Sequence, residues 1–273
     1  MSTLPLANTR AEVVLGDCID VLHTLDSCSV DAVVTDPPYC SGGFSESARR
    51  MAKGQGLRSE TIRDQGWFTS DNMGTAGMVW MMRAVALEAY RVLRDGSSLV
   101  LFTDWRQVAN LGPVVESSGF RWTNMVVWDK GSAGLGSGFR AQHELALHFT
   151  KGSAAYHDRS TGNVIRCSRQ SHTSREHQTQ TPIDLMARLI RVVCPVGGVV
   201  LDPFAGSGST GVAALLEGRG FLGIEREAAY VEIARRRLAE VLSRSELPKT
   251  AADRMQLALS DACILAAPLE PAR

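Results

Sequence analysis

Asp36-Pro37-Pro38-Tyr39 carries more potential chemistry than any other tetrapeptide of this 273-residue chain. The apolar run Val30–Thr35 before it reads as a buried strand, so Asp36 falls at a strand end, where open α/β sheets place their ligand crevice. Two consecutive prolines fix the backbone and remove two N–H donors, so the local carbonyls are presented without competing donors. Asp36 adds carboxylate acceptors, and Tyr39 adds a flat face on which a planar ring can stack. Acceptors beside a stacking surface suit an amino group carried on an aromatic ring. Taken alone, the same four residues make an ordinary turn beside a core tyrosine.

A glycine loop elsewhere supplies the context. Gly206-Ser207-Gly208-Ser209-Thr210-Gly211 fits G-x-G-x-x-G, follows a predicted strand and opens a predicted helix, and Glu225 lies 19 residues beyond Gly206. Glycines let the backbone approach a ligand closely, and an acid ending the next strand can grip a ribose diol. By itself the loop suits a nicotinamide or flavin dinucleotide as well as any other nucleoside cofactor.

These residues need a frame to position them. Strands are predicted at Glu12–Gly16, Val30–Thr35, Ser98–Thr103, Asn124–Asp129, Leu145–Thr150, Val199–Asp202 and Phe221–Glu225. Helices are expected near 19–25, 78–93, 107–117, 210–217 and 228–242, the second stopped by Asp95-Gly96. One more begins at Thr181-Pro182, with Thr181 as N-cap and Ile183, Met186, Leu189, Ile190 and Val193 along one face. This alternation predicts an α/β fold with a doubly wound, mostly parallel sheet and helices on both faces. Residues 40–75 are polar, with little periodicity, and read as a loop. Residues 151–180 hold five basic residues, two acidic ones and three histidines. Positive charge is concentrated there.

Composition narrows the function classes. Twenty-nine Lys and Arg balance 29 Asp and Glu, which excludes a polybasic coat but not a local basic face. There is no run of apolar residues long enough for a membrane span, and the amino terminus does not read as a secretory signal. Six cysteines lie far apart, fitting reduced thiols in a cytoplasmic protein. Cys167, His172 and His177 lack the paired spacing of a zinc site, so no metal is expected.

In motif content and order the chain resembles the β-class S-adenosylmethionine-dependent amino-methyltransferases of DNA. The resemblance rests on Leu15-Gly16-Asp17-Cys18, Asp36–Tyr39, Trp128-Asp129-Lys130, Arg140 with Glu144, and His177–Pro182. Leu201–Gly211, Gly220–Glu225 and Tyr230 complete it, so it spans most of residues 12–242. It implies a circularly permuted order, with a catalytic half (12–150), a short basic target-recognition segment (151–180) and a cofactor half (181–242). These form one domain over 1–242, and the extension 243–273 has no assigned role.

The resemblance also implies roles. Asp36, Pro37, Pro38 and Tyr39 would hold the target base. Asp202, Pro203, Phe204, Gly206, Ser207, Gly208 and Ser209 would cradle the methionine part of S-adenosylmethionine, and Glu225 would accept from its ribose. Asp17 would pair with the cofactor's adenine, Cys18 beside it would also contact the cofactor, and Thr179 and Gln180 would line its amino-acid end. The family usually has Lys where this chain has Thr181, so Thr181 is either a cofactor contact or the helix cap, the latter worth about 1 kcal/mol. Lys151, Arg166, Arg169 and Arg175 are candidate contacts to double-stranded DNA. The implied reaction is methyl transfer to adenine N6 of a flipped base, because the family's cytosine-N4 members more often carry Ser in place of Asp36. So short a recognition segment implies a homodimer on a palindromic site. Cys194-Pro195 and Cys40 lack the Pro-Cys context of a C5-cytosine nucleophile. A dinucleotide-dependent oxidoreductase, or a DNA-binding module without catalysis, would leave Asp36–Tyr39 without a purpose.

Overall fold

Apolar side chains alternate along every central strand of the computed structural model, which describes residues 11–39, 74–134, 138–168 and 181–243. In chain order the elements are β1 (Ala11–Leu15), α1 (Cys18–His23), β2 (Val30–Thr35), α2 (Thr75–Val92), β3 (Leu93–Thr103), α3 (Val108–Glu116) and β4 (Arg121–Asp129). There follow β5 (His143–Thr150), β6 (Val164–Arg166), α4 (Ile183–Val193), β7 (Val199–Asp202), α5 (Ser209–Leu216), β8 (Gly220–Glu225) and α6 (Ala228–Ser243). Among the described residues the strands form one eight-stranded sheet in the order β1-β8-β7-β2-β3-β5-β4-β6. Only β5 runs antiparallel to its neighbours.

Period-2 alternation splits the core in two. Ala32, Val34, Val100, Phe102, Ala146, Val200 and Phe221 face one side and pack with residues of α4, α5 and α6. Val33, Leu99, Leu101, Leu147, Phe149, Leu201 and Leu222 face the other and pack with α1, α2 and α3. Each such fully buried aliphatic or aromatic side chain contributes roughly 1.5–3 kcal/mol relative to exposure. The expected sheet, covered on both faces, is what the structure contains.

The winding direction reverses between β7 and β2. From β2 the chain crosses to β3 on one side, and from β7 it crosses to β8 on the other. The carboxyl ends of β2 and β7 therefore flank the switch point, the place where open α/β sheets bind ligands. An Asp-Pro dipeptide stands at the carboxyl end of each: Asp36-Pro37 just past β2, and Asp202-Pro203 where β7 ends.

Two elements differ from the sequence reading. The strand containing Ser98–Thr103 begins earlier, at Leu93, although Asp95-Gly96 reads as a stop. Gly96 takes a φ of 84° there, and its N–H donates to Lys151 O at 2.8 Å, so the turn residues stay within the sheet's hydrogen bonding. The short strand β6 emerges inside the basic segment, held by parallel pairing of Val164–Arg166 with Val127–Asp129. The loop expected over 40–75 falls almost entirely outside the described residues, as does the tail beyond Ser243.

Candidate active site

Thr35 is the last residue of β2 and is fully buried; its hydroxyl donates to Asp202 Oδ1 at 2.6 Å. That bond joins the two strand ends, because β2 and β7 are direct neighbours with Val33 opposite Leu201. The acidic proline corner and the glycine loop therefore lie side by side.

At the first corner Asp36 is half-buried and Tyr39 packs its ring against the α4 side of the core. Asp36 Oδ2 accepts a hydrogen bond from Thr181 Oγ1 at 2.7 Å. This corrects the helix-cap reading. The N-cap of α4 is Pro182, in extended conformation and without a side-chain cap bond, and Thr181 instead spends its hydroxyl on the carboxylate. Proline restricts the residue before it to extended backbone, and here the Thr181 hydroxyl reaches across to β2.

Burial pushes the Asp36 carboxyl up to about 7. The Glu144 carboxylate adds to the rise, and hydrogen bonds from Thr181 and Tyr39 oppose it. Burial, together with the Asp36 and Glu144 carboxylates, holds the Tyr39 phenol well above its ordinary range, so it remains a donor. Tyr39 donates to Glu144 Oε2 at 3.3 Å, and Glu144 Oε1 is ion-paired with the Lys130 ammonium. The sequence reading assigns no role to Lys130 or Glu144. Both stand in motifs that carry the resemblance, Trp128-Asp129-Lys130 and Arg140 with Glu144, but nothing local shows that they meet.

The second corner is built differently. Asp202 is 2% exposed and accepts from Thr35 Oγ1, from Phe204 N at 3.0 Å and from Thr210 Oγ1 at 2.6 Å. Burial raises its carboxyl to about 6. Its donors come from β2, the loop and the start of α5, so Asp202 shapes the cradle from beneath. Pro203, Ser207 and Ser209 are buried as well, leaving Phe204 and Gly206 half-exposed. Gly208 has a φ of 82°, and a Cβ there would lie 2.9 Å from Ala234 Cβ, so it is needed for packing. Gly206 also has positive φ (51°), yet an added Cβ would meet nothing within 4 Å. The space above it is open on the ligand side, a cradle that any side chain at 206 would invade.

Glu225 completes this corner. Its Oε2 accepts from Gly206 N at 2.9 Å and its Oε1 from Glu227 N at 2.8 Å. Each carboxylate oxygen has a further lone pair, enough for a diol. Asp17 is exposed and caps α1 through Ile19 N at 2.9 Å, beside Leu15, which is 51% exposed. Leu15, Asp17, Phe204, Gly206 and Glu225 thus offer an apolar face, two carboxylates and open backbone, which fits an adenosine-bearing cofactor. Cys18 differs from the reading: its thiol is buried in the core beside Leu22, and burial pushes it up to about 12. Arg237, on the buried face of α6, donates to Ser207 O at 2.6 Å and stiffens the loop. A charged residue within an apolar helical stripe is its sequence signal.

The basic candidates separate. Lys151 lies past the end of antiparallel β5, at the edge of the sheet away from Asp36. It is 8% exposed and donates to Leu93 O at 2.7 Å, so it is a structural lysine and not a phosphate contact. Arg166, at the carboxyl end of β6, is exposed on the same edge as Asp36. Trp105, just past β3 on that edge, is 64% exposed, with the Arg106 guanidinium 4.9 Å above its ring. Arg169, Arg175, Thr179 and Gln180 lie outside the described residues. Among the described residues no group of three or more His, Cys, Asp or Glu is placed to hold a metal ion, and no helix is long and apolar enough to cross a membrane.

Comparison with known proteins agrees with this geometry. Residues 30–236 match the N6/N4 family model described as DNA methylase. YubD of Escherichia coli (strain K12) is 30% identical over 83% of this chain and 89% of its own length. The type II methyltransferase M.HinfI of Haemophilus influenzae is 26% identical over 84% of this chain and 68% of its own. Among solved structures, TTHA0409 of Thermus thermophilus, complexed with S-adenosyl-L-methionine, superposes with a TM-score of 0.59 and 25% identity over 87% of this chain and 96% of its own. The cytosine-N4-specific PvuII DNA methyltransferase shares the fold, with a TM-score of 0.66 at 16% identity over 97% of this chain and 94% of its own. The β2 and β7 corners both fall inside the matched residues, and the chain belongs to the N6/N4 family of DNA methylases.

Proposed function

We propose that this DNA methyltransferase transfers the methyl group of S-adenosylmethionine to adenine N6 of a base flipped out of double-stranded DNA. The observation that carries the reading is the Thr35–Asp202 bond of 2.6 Å, which sets the amino-group corner against the cofactor corner. An aspartate at position 36, in place of the serine more frequent in cytosine-N4 members, supports adenine.

When bound, the cofactor supplies a methyl group already activated on a sulfonium. An exocyclic amino nitrogen is a weak nucleophile because its lone pair is delocalised into the ring. Asp36 accepts one N–H and the Pro37 carbonyl the other, which draws the nitrogen towards tetrahedral geometry and aims its lone pair. Tyr39 stacks on the base. Protonation replaces one Asp36 acceptor with an O–H donor that opposes the incoming amino hydrogen, so its carboxyl near 7 sets an acid limb at neutral pH. Positioning supplies most of the rate gain. Arg166 and the Trp105–Arg106 pair lie on the edge over which the duplex approaches. Two copies on a palindromic site would compensate for the short recognition segment.

Tritiated methyl transfer to mixed-sequence DNA, followed by nucleoside chromatography, tests the reading. Label in N6-methyladenine is the expected result. Label in N4-methylcytosine would move the assignment to the other base. Absence of any transfer, with thermal protection by NAD in place of S-adenosylhomocysteine, would overturn it. Gel filtration at monomer mass with full activity would remove the dimer.

A further inference from the structure

Lys130 is a lysine only 8% exposed, immediately past the carboxyl end of β4. The β4–β5 register explains its setting. Glu144 stands opposite Trp128, so Trp128, Lys130 and Glu144 share the sheet face that α4 covers. The ammonium lies 4.8 Å from the centre of the Trp128 ring, and that ring is locked by Nε1 donating to Cys167 O at 2.7 Å. A buried ammonium is costly unless it is paired with an anion, and the anion here is Glu144. The other Glu144 oxygen receives the Tyr39 hydroxyl, and Tyr39 interacts in turn with Asp36.

We propose that the Lys130–Glu144 ion pair is a positioning device for methyl transfer, fixing the Tyr39 hydroxyl and setting the electric field at Asp36. The inference rests on Asp36 and Tyr39 being the amino-group grip proposed above. The surroundings of Asp36 support it: Glu144 on β5, Lys130 beyond β4, Asp202 at the end of β7, Thr181 ahead of α4, and Tyr39 itself. Of these, Lys130 carries the positive charge, and it reaches Asp36 through Glu144. The pair therefore does two things at once. It holds the edge of the stacking ring, and it offsets a carboxylate that would otherwise hold the Asp36 proton on at neutral pH.

Carboxyl carbon-13 NMR of Asp36, assigned with Asp36→Asn, tests this on the full chain without DNA. In Glu144→Gln the Asp36 midpoint falls below that of the wild type. In Lys130→Met, which leaves Glu144 uncompensated, it rises. Lys130→Arg, which keeps the charge, returns it to the wild-type value. The acid limb of single-turnover methylation follows the same order, and Lys130→Met loses about 10²-fold in rate at neutral pH. Cofactor affinity is retained, since neither side chain touches that corner. A purely structural pair would lower activity without moving the midpoint. An Asp36 midpoint unchanged in Glu144→Gln, or unchanged in Lys130→Met where that variant folds, overturns the proposal. A wild-type enzyme that transfers no methyl group would sink the functional reading instead, while the titration would still report on the pair.

Discussion

Asp36 and Asp202 end neighbouring parallel strands, precede a proline and sit within one hydrogen-bonded cluster, yet they serve opposite ends. Asp202 is nearly filled: two hydroxyls and a backbone N–H take three of its four acceptor sites, and it is closed off from solvent. Asp36 holds one hydroxyl on Oδ2, shares the Tyr39 phenol, and keeps part of its surface open. A carboxylate whose acceptors are filled by the protein shapes backbone. One with acceptor capacity left can take a substrate N–H. The Asp-Pro dipeptide does not distinguish them; the neighbouring strands and helices do.

The largest effect that would test this contrast comes from Asp36→Ala. Methyl transfer should fall about 10³-fold or more, while calorimetric affinity for the cofactor stays near that of the wild type. Retained turnover would show that the open carboxylate is not the grip. Asp202→Ala should fail differently. It leaves the Thr35 and Thr210 hydroxyls and the Phe204 N–H without their acceptor, a destabilisation of about 2–4 kcal/mol in urea unfolding. Cofactor affinity should drop with it, because the loop loses its support. Equal stability with lost turnover would break the comparison.

The raised carboxyl of Asp36 carries a stability prediction of defined sign. Its folded-state value of about 7 exceeds the ordinary carboxyl value of 3.8. Between these values the unfolded chain has released the proton and the folded chain has not, so the contribution to stability is present below about pH 4 and lost as pH rises through 7. Asp36→Asn removes the titration while its amide oxygen can still accept from Thr181. The variant should therefore melt higher than wild type at pH 8, with the advantage vanishing near pH 4, and it should lose turnover. A melting difference independent of pH would show that Asp36 is not strained by ionisation.

Legibility in the sequence followed the range of the interaction. Strong apolar periodicity made α4 and the central strands readable, and the strand–glycine loop–helix pattern made the cofactor corner readable. β6 was hidden because three residues, Val164–Arg166, have no periodicity to show and exist as a strand through pairing with β4. Thr181 was assigned by a local capping rule, but its partner lies 145 positions away. Lys130 and Glu144 meet across the β4–β5 ladder, whose register no local pattern announces. The Asp36–Tyr39 tetrapeptide was visible; the contacts that hold it were not.

Tyr39 separates ring from hydroxyl within the open corner. Tyr39→Ala removes the stacking face and should cost roughly 1–3 kcal/mol in target-base binding, read as fluorescence of 2-aminopurine placed at the flipped position. Tyr39→Phe keeps the ring, and its effect should be smaller and confined to the rate. The missing hydroxyl releases Glu144 Oε2 and not the base. Equal losses in the two variants would mean that the hydroxyl, not the face, carries recognition.

The smallest effects test whether the contrast between filled and open charges extends to cations. Lys151 is filled: a carbonyl, the Asp95 carboxylate at 3.5 Å and the Tyr90 ring at 5.0 Å surround its ammonium, at the edge away from Asp36. Arg166 is open, with a side chain 74% exposed and a loose contact to Asp129 at 3.8 Å. Lys151→Met should leave DNA affinity and its salt dependence unchanged while lowering stability, since Leu93 O loses its donor. Arg166→Ala should leave stability alone and reduce the slope of log K against log salt by about one, the signature of a single lost phosphate contact. Fluorescence anisotropy at three salt concentrations distinguishes them. A reduced slope in Lys151→Met would mean that DNA reaches the far edge of the sheet, and a chain bound on both edges could not present its target base to a crevice that opens on only one.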